Sequence, residues 1–260
     1  MRKLTLLKLC FLASGIVLIS ACRTNESSLR KELDEIRIEQ RQMKDEISEI
    51  KTMLLRLSSQ QLMPQQQQQA QASVKGIEFD IGDNPVIGSK AAKLIMIEFT
   101  DYQCPYCGRY ARETFPEIKK QYVDSGKIRY AVADQPLPPH QEASKAAEAA
   151  HCAKDQGKFW EMHEALMAKQ ENLSDLASYA MELNLNAVEF ENCLNAGKYK
   201  ETVNRNMKLA NSLGLSSVPV FIIGTVDAKD PRKVTGITTI RGAIPLDNFR
   251  QGLDLLLNNQ

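Results

Sequence analysis

A Cys-Pro-Tyr-Cys tetrapeptide at residues 104–107 constrains this chain more than any other feature, because an apolar segment precedes it and a helical pattern follows it. The segment Leu94–Thr100 is short and rich in Ile and Phe, which is typical of a buried strand. Downstream, apolar and aromatic side chains recur at helical spacing: Tyr110, Ala111, Phe115, Ile118 and Tyr122. The pattern predicts a strand, a turn that carries both cysteines, and a helix in immediate succession.

The position at a helix start makes the two cysteines suited to redox chemistry. Cysteines two residues apart at a helix start lie within bonding reach, and the helix dipole favours the thiolate form of Cys104. A thiolate is the species that attacks disulfides, so Cys104 and Cys107 are predicted to form a redox pair that needs no other cofactor. The alternatives are a structural disulfide or half of a zinc site. A zinc site would need a second closely spaced pair, which the remaining cysteines do not provide, so no metal site is expected.

The N-terminus is typical of an exported chain. A basic start precedes an apolar run at about residues 9–19, which is too short to span a bilayer. The stretch Ile19–Cys22 resembles a bacterial lipobox, which implies a signal peptide at residues 1–21, a lipid on Cys22 and a lipidated N-terminus at residues 22–28. The alternative is an ordinary signal peptide that leaves Cys22 as a free thiol. We expect a lipid anchor in the bacterial cell envelope facing the periplasm, with the outer membrane favoured over the inner because Arg23, not Asp, follows the cysteine.

The other cysteines fit an oxidising compartment. Once the signal peptide and Cys22 are set aside, four thiols remain and could pair in three ways. The adjacency of Cys104 and Cys107 leaves Cys152 and Cys193 for a structural disulfide between two helical segments. The alternative is that Cys152 and Cys193 are two separately buried thiols.

Residues 29–62 show an unbroken heptad pattern that predicts a coiled-coil stalk. The a and d positions hold Leu29, Leu33, Ile36, Gln40, Met43, Ile47, Ile50, Leu54 and Leu57. The flanking g and e positions pair opposite charges between chains: Glu32–Arg37, Glu39–Lys44 and Glu46–Lys51. We therefore expect a parallel homo-oligomer, with a trimer favoured over a dimer because Ile occupies d positions. The alternative is a single amphipathic helix folded back on its own domain.

Beyond the stalk, residues 63–75 form a Gln-rich linker and residues 76–260 are long enough for one compact domain. Strands and helices alternate in an α/β pattern around a mixed sheet, with a helical insertion at about residues 139–213. The chain carries 33 Lys and Arg against 32 Asp and Glu, and no basic patch is interleaved with aromatic residues. Nucleic acid is therefore not an expected partner.

The C-terminal domain resembles the thioredoxin superfamily, in its DsbA-like branch with a helical insertion. The resemblance rests on residues 98–107, on Ser217–Phe221, and on Gln156–Trp160 with His163. It implies a thioredoxin fold with an inserted helical domain, which would follow the long coiled-coil helix that the heptads predict. It also implies a cis bond before Pro219, which would turn the Val218 backbone toward the redox pair and an extended substrate. A trans proline at a strand start is the alternative.

The resemblance gives Glu98 a role as well. It implies a partly buried carboxylate behind Cys107 that moves a proton during exchange, whereas the alternative is a strand residue that faces solvent. For His140 and His163 it indicates packed, hydrogen-bonded side chains rather than metal ligands.

As a whole, the resemblance implies a thiol:disulfide oxidoreductase in which Cys104 is an exposed nucleophile and Cys107 resolves the mixed disulfide. Its partners would be unfolded or misoxidised exported proteins and a membrane or soluble redox partner. The direction stays open, because Val218 resembles the oxidase group and a coiled-coil stalk resembles the isomerase group. An oligomeric isomerase or reductase is thus one alternative, a non-catalytic adaptor lipoprotein a second, and metal delivery a third.

Overall fold

The computed structural model describes residues 30–52 and 74–259, which fall in two compact units. Residues 30–52 form one continuous helix (α1) within the predicted stalk. Its large apolar side chains are about half exposed: Leu33, Ile36, Ile38, Met43, Ile47 and Ile50. The predicted signal peptide, Cys22, the rest of the stalk and most of the linker lie outside the described residues. Within the described ranges, no helix has both the length and the apolar character needed to cross a membrane.

Residues 74–259 are built on a six-stranded mixed sheet, which confirms the predicted α/β class. The strands are β1 (Glu78–Asp80), β2 (Val86–Ile87), β3 (Leu94–Thr100), β4 (Ile128–Asp134), β5 (Val220–Val226) and β6 (Lys233–Arg241). Their order is β1-β6-β5-β3-β4-β2, and only β3 and β4 run parallel. The strand before the redox pair is therefore central, and helices cover it on both faces, so all seven of its residues are buried.

The helix after the redox pair, α2, alternates between two helical forms. It consists of the α-helical segments Pro105–Arg109 and Phe115–Ile118 and the π-helical segments Tyr110–Thr114 and Lys119–Val123. A π turn is wider than an α turn. This width keeps Tyr110 and Phe115 on one buried face although they are five residues apart in sequence.

The helical insertion leaves the sheet after β4 and returns at β5. It holds α3 (Ala143–Lys154), α4 (Phe159–Ala168), a 3₁₀ turn (Gln170–Asn172), α5 (Leu176–Glu182), α6 (Ala187–Asn195) and α7 (Lys200–Ser212). The last helix, α8 (Leu246–Asn258), follows β6. The core on one face of the sheet contains side chains of α2, α8 and the insertion, whereas the other core contains Ala210 of α7 together with Leu213 and Leu215 just after it.

A buried polar cluster ties the insertion to the sheet. The carboxylate of Asp134, the last residue of β4, lies 2.8 Å from His151 Nε2 on α3 and accepts a 2.9 Å hydrogen bond from Asn206 on α7. Asn206 also exchanges hydrogen bonds of 2.9 and 3.0 Å with Asn84, which lies between β1 and β2. Burial alone would raise the pKa of Asp134, but its interactions with His151 and Asn206 hold that pKa below the ordinary value.

Candidate active site

The redox pair begins α2. Cys104 is the N-cap residue, with extended backbone angles (φ −75°, ψ 119°), and Pro105 occupies the first turn, where its missing N–H leaves no donor unsatisfied. Cys107 lies one turn on and is fully buried. Both cysteines are free thiols, so the structure represents the dithiol form.

The environment separates the acidities of the two thiols. A hydrogen bond from the Cys107 side chain, assisted by the backbone N–H groups of Cys107 and Tyr106, lowers the pKa of Cys104 to about 6. Burial, followed by the hydrogen bond to Cys104 and the nearby charge of Glu98, raises the pKa of Cys107 well above its ordinary value. At neutral pH the first cysteine is therefore the thiolate and the second is the thiol that stabilises it.

Cys104 is less exposed than the sequence analysis predicts. Cys104 is more accessible than Cys107, but only 5% of its surface is exposed. The reason is the loop before β5, which covers it: the carbonyl of Val218 lies 3.8 Å from Cys104 Sγ. The two residues between the cysteines, Pro105 and Tyr106, are exposed instead. Tyr106 is 60% exposed, and the guanidinium of Arg109 lies 5.3 Å from its ring centroid.

The Val218–Pro219 peptide bond is cis. Pro219 directly precedes β5, whose first residue, Val220, pairs with Phe99 of β3. This pairing places the loop beside the end of β3, from which the chain runs to Cys104. The structure thus brings together the two segments that the sequence pattern had linked only by resemblance.

Glu98 is buried in the sheet under α2. It is 1% exposed, more completely buried than the partly buried carboxylate expected and far from the solvent-facing alternative. Its Oε2 accepts a hydrogen bond from the hydroxyl of Tyr130 on β4, and the hydroxyl of Tyr110 on α2 lies 3.4 Å from that of Tyr130. Burial raises the pKa of Glu98 to about 7, against a smaller lowering by the Tyr130 hydrogen bond. Near neutral pH Glu98 can therefore both hold and release a proton.

A second buried carboxylate shapes the turn before Cys104. Asp101 accepts hydrogen bonds from the backbone N–H groups of Gln103 (2.7 Å) and Leu137 (2.8 Å), and its Oδ2 lies 2.7 Å from His140 Nδ1. His140 is therefore a hydrogen-bonded side chain at the start of the insertion.

His163 is packed in the interior. Its Nδ1 lies 3.0 Å from the Tyr102 hydroxyl, and burial lowers its pKa to about 4. Among the described residues, no group of three or more His, Cys, Asp or Glu side chains could hold a metal ion.

Cys152 and Cys193 belong to the helical insertion, outside the redox motif. They form a disulfide between α3 and α6, with Cα atoms 5.9 Å apart. Cys152 is buried, and the bond closes a loop of 41 residues within the insertion.

Three residues of the site had no signal in the sequence: Asp101, Tyr130 and Gln170. Asp101 lies within the loop that carried the resemblance, but nothing there indicated its contact with Leu137. Tyr130 belongs to no motif, and a strand pattern does not indicate that its hydroxyl reaches Glu98. Gln170 donates from its side-chain amide to the carbonyls of Tyr102 and Cys104, more than 60 residues away in sequence. Such contacts depend on how separate elements pack, so only the folded chain reveals them.

Comparisons with known proteins agree with this fold. A family model described as thioredoxin matches residues 80–240. A Rickettsia felis protein named "Putative protein-disulfide oxidoreductase" is 30% identical over 207 residues, which cover 76% of this chain and 69% of that protein. The crystal structure of Wolbachia pipientis alpha-DsbA1 matches with a TM-score of 0.60 at 28% identity, and the match covers 68% of this chain and 92% of that one. The "Na(+)/H(+) antiporter NhaA 3" of Salinispora tropica is 34% identical over 141 residues, or 53% of this chain, but this chain spans only 21% of that protein.

Proposed function

Because this chain belongs to the thioredoxin family, whose model covers residues 80–240, we propose that it is a DsbA-like thiol–disulfide oxidoreductase that acts through Cys104 and Cys107. The observation that carries the proposal is the unequal acidity of the two thiols. The pKa of Cys104 is lowered to about 6 and that of Cys107 is raised, the pattern that a nucleophile and a resolving thiol require.

In the oxidising direction, a substrate thiolate attacks Cys104 Sγ and breaks the Cys104–Cys107 bond. Cys107 leaves as a thiolate and takes a proton, which Glu98 can supply because its pKa lies near 7 and its charge acts on Cys107. A second substrate thiolate then attacks the substrate sulfur of the mixed disulfide and releases Cys104 as a thiolate. Two electrons pass from the substrate to the cysteine pair, and a membrane or soluble redox partner removes them.

The low pKa of Cys104 favours oxidation as the net direction. Stabilising the thiolate stabilises the reduced form of the pair, and a pair with a stable reduced form is a strong oxidant. The loop of Val218 and Pro219 would receive an extended segment of the substrate, since it already lies against Cys104 Sγ.

One observation favours a second candidate, an oligomeric disulfide isomerase or reductase that uses the same site. Five large apolar side chains at the a and d positions of α1 are 47–59% exposed, a surface that a second and third copy of this helix would cover. Parallel stalks would join several catalytic domains, so that neighbouring sites could act on one misoxidised substrate.

For location, we propose a lipid anchor at Cys22 in the bacterial cell envelope, with the catalytic domain facing the periplasm. The lipobox-like sequence and the structural disulfide Cys152–Cys193 support this setting, because disulfides persist in oxidising compartments. The substrates would then be unfolded or misoxidised exported proteins.

Two refolding assays test the proposal. The oxidised protein is mixed with reduced, unfolded pancreatic ribonuclease, and the reduced protein with scrambled ribonuclease, with Cys104→Ser as the control in each. Recovery of ribonuclease activity in the first assay supports an oxidase, and recovery only in the second supports the isomerase. If neither assay responds and insulin is not reduced, the domain is a non-catalytic adaptor and the proposal fails.

A further inference from the structure

Gln170 links the helical insertion to the redox loop. It begins the 3₁₀ turn Gln170–Asn172 that follows α4, and its Nε2 donates to the carbonyl oxygens of Tyr102 (2.8 Å) and Cys104 (2.9 Å). Both N–H groups of this side-chain amide therefore donate hydrogen bonds to the short stretch of backbone that ends at the N-cap of α2.

Gly108 makes room for this amide. A Cβ atom at position 108 would lie 2.2 Å from Gln170 Oε1 and 2.6 Å from Gln170 Cδ, which is too close for atoms that are not bonded to each other. The Gly108 N–H also donates to the Cys104 carbonyl at 3.1 Å. This carbonyl oxygen therefore accepts one hydrogen bond from α2 and another from the insertion. Gly108 has no positive φ, so backbone conformation does not explain a glycine here.

We propose that Gln170 is a positioning residue of the redox site, which clamps the Tyr102 and Cys104 carbonyls so that Cys104 keeps its N-cap geometry when the disulfide is open. The inference deepens the proposed function and rests on it. In the oxidised form, the bond between Cys104 and Cys107 itself restrains the loop. In the dithiol form that restraint is gone, and the contacts of Gln170 take its place.

The clamp matters because the Cys104 thiolate depends on the orientation of the loop. Its pKa is lowered first by the Cys107 side chain and then by backbone N–H groups of Cys107 and Tyr106, which it meets only from the N-cap position. Losing the clamp should weaken these hydrogen bonds in the dithiol form and leave the disulfide form almost unchanged. The pair should then become less oxidising.

The first test is Gln170→Met, which keeps the length of the side chain and removes both donors. We expect the pKa of Cys104, followed by thiolate absorbance and by the pH dependence of alkylation, to rise by at least about half a unit. We expect the equilibrium constant with glutathione to shift about threefold to tenfold toward the oxidised protein, the scale of one or two hydrogen bonds. The matched control is Gln156→Met, because the side chain of Gln156 bonds to the backbone of Asn186 within the insertion, so the change should leave both values unchanged.

The second test is Gly108→Ala, which displaces the same amide from the other side. The atoms that the new methyl group meets are the ends of the flexible Gln170 and Arg112 side chains, so the domain should accommodate it. Alanine also favours a helix over glycine, so thermal stability should stay the same or rise. The pKa of Cys104 and the glutathione constant should nevertheless move in the same direction as in Gln170→Met.

A change in the pKa of Cys104 and in the glutathione constant without a loss of thermal stability separates positioning from a general structural role. An unchanged pKa of Cys104 together with an unchanged glutathione constant, in either folded variant, overturns the proposal. If Gln170→Met fails to unfold cooperatively, the Gly108→Ala result alone decides. The alkylation measurement needs no protein substrate. An absence of ribonuclease oxidation would therefore refute the proposed function but would not refute the positioning role of Gln170.

Discussion

Replacing Glu98 with Gln should remove a pH-dependent loss of stability. The folded protein raises the pKa of this carboxyl from 4.5 to about 7, chiefly by burial. Below pH 4.5 the group is protonated in the folded and the unfolded chain alike. Between pH 4.5 and 7 the unfolded chain ionises while the folded chain stays protonated, so the free energy of unfolding falls as the pH rises. Above pH 7 the loss is complete.

The size of the loss follows from the pKa difference. About 2.5 pH units at about 1.4 kcal/mol per unit gives about 3 kcal/mol, lost between pH 4 and pH 8. Gln cannot ionise and does not suffer this loss. The stability difference between Glu98→Gln and the parent protein should therefore grow by about 3 kcal/mol in favour of the variant over this range.

The measurement is urea denaturation of the oxidised proteins at pH 4, 6 and 8. The oxidised form is used because neither Cys104 nor Cys107 can ionise in it. The single tryptophan, Trp160, packs partly buried against the core and reports unfolding by fluorescence. Glu164→Gln, the same change at an exposed position of α4, is the matched control and should show no such growth. A difference between Glu98→Gln and the parent that stays constant within about 1 kcal/mol would refute the reasoning, because Glu98 would then ionise in the folded protein as it does in the unfolded chain.

Three further outcomes are expected. Cys104→Ser should abolish disulfide exchange and Cys107→Ser should trap mixed disulfides on Cys104, as seen on non-reducing gels; faster alkylation of Cys107 than of Cys104 in the reduced protein would reverse the two roles. Replacing both Cys152 and Cys193 with Ala should lower the free energy of unfolding by about 3–4 kcal/mol, because the unfolded chain loses a closed loop of 41 residues; denaturation curves that overlay the parent would contradict this. A lipid-free chain that begins at Pro64 should be a monomer by light scattering and keep its single-domain exchange activity; a monomer for the full stalk would show that α1 does not self-associate.

The parts of the fold and site that could be predicted are those with local patterns. The apolar run of β3, the spacing of the two cysteines and the proline before β5 each lie within a few consecutive residues. Their grouping followed from resemblance to a fold in which the same segments meet. The two-residue strand β2 was not predicted, because two residues are too few to show a pattern.

The remaining features depend on packing between distant segments. Cys104 was expected to be exposed, since nothing near it in sequence shows that the carbonyl of Val218 covers it. Glu98 was expected to be partly buried, whereas β4 and α2 bury it completely and supply Tyr130 and Tyr110 around it. Gln170 could not be found at all, because an amide in a helical segment gives no indication of which carbonyls it will reach.

The polar cluster around Asp134 has a consequence for how the domain opens. It holds β4, α3, α7 and the segment of Asn84 by hydrogen bonds that are buried together, and α3 and α7 are the first and last helices of the insertion. Opening the insertion alone would break these hydrogen bonds together with the apolar packing of the insertion on the sheet, so no single contact is lost by itself. Sheet and insertion should therefore unfold as one cooperative unit, with amide protons in β4, α3 and α7 exchanging with solvent at a common free energy of opening.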